Sequence, residues 1–143
     1  MKVKKYESKY FSSLYEIEKE AFSDFWSEKG MKDELSLKQA NYYVAEDDDE
    51  IIGFAGFWLI IDEAEIMKVA VRKSERGKGV GNALLLAIIE DAAMMGAKTI
   101  LLEVREGNTP ARKLYEKHGF ISYATREKYY EGKENAILYK KNL

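Results

Sequence analysis

The sequence predicts a mixed α/β fold: one sheet with helices packed against it. Three observations carry that expectation. Extended apolar runs such as "NYYVAE" and "EIIGFAGFWLII" alternate along the chain with segments whose apolar residues recur every three or four positions. A strand–helix–strand unit from Ala64 to Val104 requires two parallel strands joined by a right-handed crossover. Hydrophobic residues make up 46% of the 143 and charged residues 34%, enough apolar material for one core and too much for a disordered chain. Without a linker, repeat or low-complexity stretch, residues 1–143 are expected to form a single domain.

The elements follow in order. "KVKKY" reads as a short first strand. In "SKYFSSLYEIEKEAF", Phe11, Leu14, Tyr15, Ile17, Ala21 and Phe22 mostly fall at helical spacing. "SEKGMKDEL" reads as a shorter helix, with Ser27 as N-cap and Glu28 in its first turn, where a carboxylate meets the positive end of the helix dipole. "NYYVAE" and "EIIGFAGFWLII" form a hairpin around the acidic turn Asp47–Glu50, and "EAEIMKVAV" is the next strand. From Asn82 to Met95, Leu85, Ile88, Ile89, Ala92 and Met95 share one helical face. "KTILLEV" is a strand. Asn108 or Thr109 caps a helix with Pro110 in its first turn, and that helix runs through "ARKLYEKH" to Gly119. "FISYATREKYY" and "NAILYKKN" are two closing strands joined through Gly132.

Composition removes several functional classes. A formal net charge of −2 provides no bulk attraction to nucleic acid, so no direct nucleic-acid partner is expected. The absence of cysteine excludes disulfides, thiolate metal sites and a cysteine nucleophile, and it fits a reducing cytoplasm. The N-terminal "MKVKKYESKYF" has no apolar signal core, and the longest apolar stretch, "IIGFAGFWLII", has 11 residues, too few to span a bilayer; no membrane partner is expected. A lone histidine, His118, makes a metal site unexpected. It lies at a helix end, where an imidazole can bond terminal carbonyls.

The most informative stretch is "RGKGVG", Arg76 to Gly81, between a strand and a helix. Amides at a helix N-terminus have no intrahelical partner, and the helix dipole adds partial positive charge. Gly77, Gly79 and Gly81 let an anion approach those amides, and Arg76 and Lys78 add charge, so the unit is a candidate phosphate cradle. Walker spacing and the final Rossmann spacing are both absent. A plain strand-to-helix turn remains the alternative reading.

Arg76-x-x-Gly79-x-Gly81 resembles the acyl-CoA pyrophosphate loop of the GNAT acetyltransferase superfamily, and "NTPARKLYEKHGF" resembles its second signature. "WSEK", "DEAEIMKVAV", "LLEVREGN", "LYEKHGF" and "KYYEGKENAI" extend the resemblance to the ribosomal-protein-alanine N-acetyltransferase (RimI) family and its archaeal relatives, over nearly the whole chain. The resemblance implies a twisted mixed sheet of six or seven strands flanked by about four helices, with two parallel strands splayed to admit acetyl-CoA. It implies that Val69, Ala70 and Val71 offer backbone groups to the pantetheine arm and acetyl group. Arg76, Gly77, Lys78, Gly79, Val80, Gly81 and Asn82 would bind the pyrophosphate, and Asn108 the cosubstrate beyond the second strand. Glu103 is matched to the general base, and Tyr115 to the general acid that also contacts the cosubstrate. The partners implied are acetyl-CoA and a protein N-terminus or peptide, with Phe25, Trp26, Tyr129 and Tyr130 forming the acceptor walls.

The chemistry is consistent with those roles. An α-amine has a pKa of about 8 and a lysine about 10.4, a gap of roughly 3.3 kcal/mol in the availability of the neutral amine. A chain N-terminus therefore needs only a modest base, and a carboxylate acting through water can serve. Each residue also has an ordinary structural reading. Glu103 would pair with Arg105 or Lys98, Tyr115 would be a core aromatic, and Tyr129 and Tyr130 would be a hairpin surface. The chain departs from the family pattern on the acceptor side: Asp24-Phe25-Trp26 lacks the usual proline, and Glu134-Asn135-Ala136 stands where Glu-Asp-Ala is common. A small-molecule amine as acceptor, and a non-catalytic acyl-CoA-binding module, are the competing readings.

Overall fold

"IIGFAGFWLII" falls in β3 (Glu50–Ile60) and the turn after it, and Ile51 to Phe57 are all buried in a computed structural model that describes residues 1–143. A strand buried on both faces must lie inside a sheet with layers on either side. The other strands are β1 (Lys2–Lys5), β2 (Ala40–Asp47), β4 (Glu63–Val71), β5 (Thr99–Arg105), β6 (Ile121–Tyr130) and β7 (Glu134–Asn142). They form one seven-stranded sheet in the order β1-β2-β3-β4-β5-β7-β6. Every neighbouring pair is antiparallel except β4 and β5, the parallel pair that the crossover unit requires.

Four α-helices flank the sheet: α1 (Phe11–Ala21), α2 (Glu28–Leu35), α3 (Val80–Met94) and α4 (Thr109–Lys117). The predicted first helix begins as a 3-10 turn, Ser8–Tyr10, before α1 proper. Leu14, Ile17 and Met31 from α1 and α2 pack with Tyr42, Val44 and Phe54 on one face. On the other, Leu84, Leu85 and Ile88 of α3 pack with Tyr43, Ala45 and Ala55. The pleat of β2 thus sends alternate side chains to opposite layers. Ser27 caps α2 by accepting from the Gly30 amide at 3.0 Å, and Asn108, rather than Thr109, caps α4 by accepting from Ala111 at 3.3 Å. No helix is long and apolar enough to cross a membrane.

The parallel pair is short. β4 and β5 are in register only at Glu63–Thr99, Ala64–Ile100 and Glu65–Leu101, although both strands run on. On the other side of β4, Gly56 faces Lys68 and Phe57 faces Ile66, so Met67 is an extra residue. Such a bulge bends its strand and increases the local twist. The bend falls where β4 leaves β5, and a gap opens between the diverging strands.

One close approach fixes the β2–β3 packing. A Cβ at Gly56 would lie 2.3 Å from Cε2 of Tyr42. The Tyr42 ring cannot easily retreat, because it is buried and its hydroxyl donates to Glu34 at 2.9 Å. Gly56→Ala is expected to lower stability by about 1–3 kcal/mol through overpacking. A thermal melt checks it; an unchanged Tm would contradict the rigid placement of Tyr42.

Candidate active site

The gap between β4 and β5 is the floor of a cleft of about 750 Å³. Its walls come from β4, β5, the start of α4, the α1–α2 connection and the end of β6. Of the residues singled out from sequence, Val69, Glu103, Asn108, Tyr115, Trp26, Tyr129 and Tyr130 line it. Phe25 does not: it is exposed, while the adjacent Trp26 turns inward. Ala70 is buried in the layer beneath α1, and Val71 ends β4.

Arg76 to Asn82 follow β4 through a 3-10 turn, Lys73–Glu75, and lead into α3. Gly77 and Gly79 have φ of 79° and 85°, a region that side chains rarely adopt, and nothing lies within 4 Å of a Cβ built on either. Gly79 is the N-cap and supplies no side-chain acceptor, and the first helical bond runs from the Ala83 amide to its carbonyl at 3.0 Å. The six successive amides from Gly77 to Asn82 have no acceptor within the chain. An open run of unpaired donors at a helix N-terminus is chemically suited to a diphosphate. Arg76 donates to the Val71 carbonyl at 3.3 Å, and Lys78 pairs with Glu75 at 3.2 Å. The Asn82 side chain is engaged elsewhere, its Oδ1 2.6 Å from His118 Nε2. His118 therefore braces α4 against α3, a contact that its helix-end position did not reveal. Burial, with Lys117 and Lys141 nearby, lowers the imidazole pKa and favours the neutral ring, which donates to Asn82.

Glu103 pairs with Arg126 of β6 at 3.3 Å. The sequence-based alternatives, Arg105 and Lys98, are committed to other carboxylates. Arg105 lies 3.3 Å from Glu134 and 4.0 Å from both Asp24 and Glu131, while Lys98 lies 3.9 Å from Asp62. The true partner comes from sheet register: Glu103 faces Leu138 on β7, which faces Ala124 on β6, two residues from Arg126.

Tyr115 projects from α4 with its ring 5.8 Å edge-on to Phe120 and 6.3 Å from Tyr139. It is 8% exposed and lines the cleft. Burial, with Tyr130 adding to it, pushes its pKa up to about 12, so the hydroxyl keeps its proton through the neutral range. Tyr129 and Tyr130 pack edge to face at 5.1 Å. The Arg105 guanidinium lies 4.3 Å over the Tyr130 ring and the Arg126 guanidinium 5.4 Å over that of Tyr129. Burial, then Glu103, pushes the Tyr130 pKa up to about 12 as well.

Sequence reasoning missed three cleft groups. Glu65 lines the cleft from β4, and burial followed by Glu103 and Glu63 raises its carboxyl pKa, against the opposing effect of Arg126. Lys68 is ion-paired with buried Glu18 and lies 3.6 Å over the Trp26 ring. Burial lowers its pKa while Glu18 opposes the shift. Arg126 is the third. Simple alternation in "EAEIMKVAV" would set Glu65 and Lys68, three residues apart, on opposite faces; the extra residue Met67 breaks that alternation, and both line the cleft.

Comparison with known proteins agrees with this architecture. The model of the acetyltransferase (GNAT) family matches residues 11–120. The ribosomal protein bS18-alanine N-acetyltransferase of Haemophilus influenzae is 38% identical over 132 residues, covering 90% of this chain and 89% of that protein. Its counterpart in Escherichia coli K12 is 33% identical over 129 residues, covering 88% and 86%. The crystal structure of the Escherichia coli ribosomal-protein-S18-alanine N-acetyltransferase aligns with a TM-score of 0.91 at 30% identity, over 97% of this chain and 91% of that one. Ard1 from Thermoplasma volcanium aligns with a TM-score of 0.90 at 24% identity over 99% and 97%, a likeness of fold alone. The agreement spans most of the chain in both sequence and fold, and this chain belongs to the GNAT family of acetyl-CoA-dependent N-acetyltransferases.

Proposed function

We propose that this enzyme acetylates the N-terminal α-amine of a protein, with a ribosomal protein as the leading candidate. The observation that carries the reading is the position of Glu103 and Tyr115 on one cleft, beside the Tyr129–Tyr130 pair. The names of the bS18-alanine N-acetyltransferase relatives support the acceptor class.

The donor supplies an activated acetyl thioester. The amides of Gly77 to Asn82 hold its diphosphate, and the unpaired backbone edge of β4 at Val69 to Val71 receives the extended arm. Asn108, with its carbonyl used as the cap of α4, keeps its amide N–H groups for the same ligand. Trp26, Tyr129 and Tyr130 flank the incoming chain terminus. Glu103 takes up the ammonium proton, directly or through water, so that the neutral amine can attack the thioester carbonyl and form the C–N bond; the nitrogen gives its second proton to solvent as the C–S bond breaks. Tyr115 gives its proton to the departing sulfur.

A panel of short peptides with different first residues, together with free polyamines and amino sugars, tests the acceptor. With acetyl-CoA and the intact protein, mass spectrometry is expected to find α-acetylated peptides. Turnover of free amines with no peptide turnover would replace this reading with a small-molecule acceptor. CoA binding without any transfer would leave a binding module.

A further inference from the structure

β6 does not pair evenly with β7. Arg126 faces Ala136 and Tyr130 faces Glu134, so Glu127, Lys128 and Tyr129 stand opposite Asn135 alone. Lys128 has φ 51°, a region that non-glycine residues occupy rarely. Tyr129 and Tyr130 of the cleft wall lie within and beside this bulge.

The Asn135 side chain ties the bulge to the loop that follows β5. Its Oδ1 accepts from the Lys128 amide at 2.8 Å, and its Nδ2 donates to Glu106 Oε2 at 2.9 Å. Its carbonyl also accepts from the Glu106 amide at 3.0 Å. The reverse orientation of the side-chain amide would set donor against donor and acceptor against acceptor, so the chemistry fixes which end faces which partner. Glu134 makes a parallel tie. It accepts from the Gly107 amide at 2.9 Å and from Arg105 at 3.3 Å, next to Asn108. Two consecutive residues at the start of β7 therefore fasten the β6 bulge to the loop that leads into α4.

We propose that Asn135 is a positioning residue for the acceptor: by bridging Lys128 and Glu106 it fixes the bulge that presents Tyr129 and Tyr130 to the incoming chain. This rests on the proposed acceptor reading. An amide is required because the ionised Glu106 carboxylate only accepts hydrogen bonds. An aspartate in its place, common here in the family pattern, would set two carboxylates at hydrogen-bond distance and lose the donor.

The test uses the full chain and steady-state kinetics with one peptide from the acceptor panel, near pH 8. Asn135→Asp is expected to raise the peptide KM about tenfold or more, with kcat and the acetyl-CoA KM nearly unchanged. Adding Glu106→Gln to that variant restores a donor facing the introduced carboxylate, and the double variant is expected to return to within about threefold of the parent. An unchanged peptide KM in Asn135→Asp, or no rescue by Glu106→Gln, overturns the proposal. General structural damage would lower kcat and raise both KM values, and would not be repaired by the second change. Amide exchange at Lys128 is the independent readout: faster in Asn135→Asp and slowed again in the double variant. If the parent enzyme acetylates no peptide, the acceptor reading fails; the exchange data then decide the tether, and unchanged exchange overturns it.

Discussion

Replacing Tyr115 with phenylalanine is expected to lower kcat for acetyl transfer by about 10²- to 10⁴-fold and to leave the KM values for donor and acceptor within about threefold. Burial and Tyr130, not a hydrogen bond, act on the Tyr115 hydroxyl, so its removal strands no partner. The ring contacts with Phe120 and Tyr139 survive in phenylalanine, and Tm should move little. The proposed role places the expected loss on the step in which sulfur departs. The pH dependence has a definite sign. Because burial raises the Tyr115 pKa to about 12, the group remains a proton donor while the acceptor amine, with a pKa of about 8, becomes neutral. The rate should therefore rise through about pH 8, with no decline attributable to Tyr115 until near pH 12. A falling limb below about pH 10 that vanishes in Tyr115→Phe would contradict the assignment.

Glu103→Gln should lower kcat/KM by about 10²- to 10⁴-fold at neutral pH. The deficit should narrow above about pH 8, where solvent has already deprotonated the α-amine and a base has less to supply. Glutamine keeps the shape of the side chain, and its pairing with half-exposed Arg126 is a surface ion pair of small worth, so folding should be nearly unaffected. Removing the Glu103 charge also removes one cause of the raised Glu65 pKa, leaving Glu65 closer to an ordinary carboxyl. A pH–rate profile of parent and variant, with peptide as acceptor, separates the cases. A deficit constant across pH would assign Glu103 to orientation of the acceptor rather than to proton removal.

Much of this architecture was legible in the sequence because it rests on local periodicity. The face shared by Leu85, Ile88 and Ala92, the Ser27 cap and the Ala64-to-Val104 crossover each follow from neighbours a few residues apart. The splay was expected only through family resemblance, because nothing in "EIMKVAV" announces that Met67 is surplus to the β3 register. Side-chain partners were less legible still. Glu103 meets Arg126 through the intervening β7, whose register is a property of the whole sheet. Phe25 and Trp26 are neighbours in sequence, yet the path of the loop sends one to solvent and the other to the cleft. His118 reaches Asn82 across 36 positions, a contact that helix-end chemistry alone does not foresee.

The three-residue β4–β5 pairing has a consequence for how the molecule avoids unwanted association. Beyond Glu65 and Leu101 the sheet contains two inner rims whose peptide groups lack partners across the seam. At an outer margin such groups would template addition of a foreign strand and promote aggregation. Here they lie at the floor of a recess, overhung by the α1–α2 connection, α4 and the β6 bulge. A neighbouring protein's strand cannot lie flat there, whereas a slender amide-bearing chain can enter end-on. The fold thereby sacrifices a few ladder bonds at its centre and gains a rim that excludes polypeptide edges by access alone.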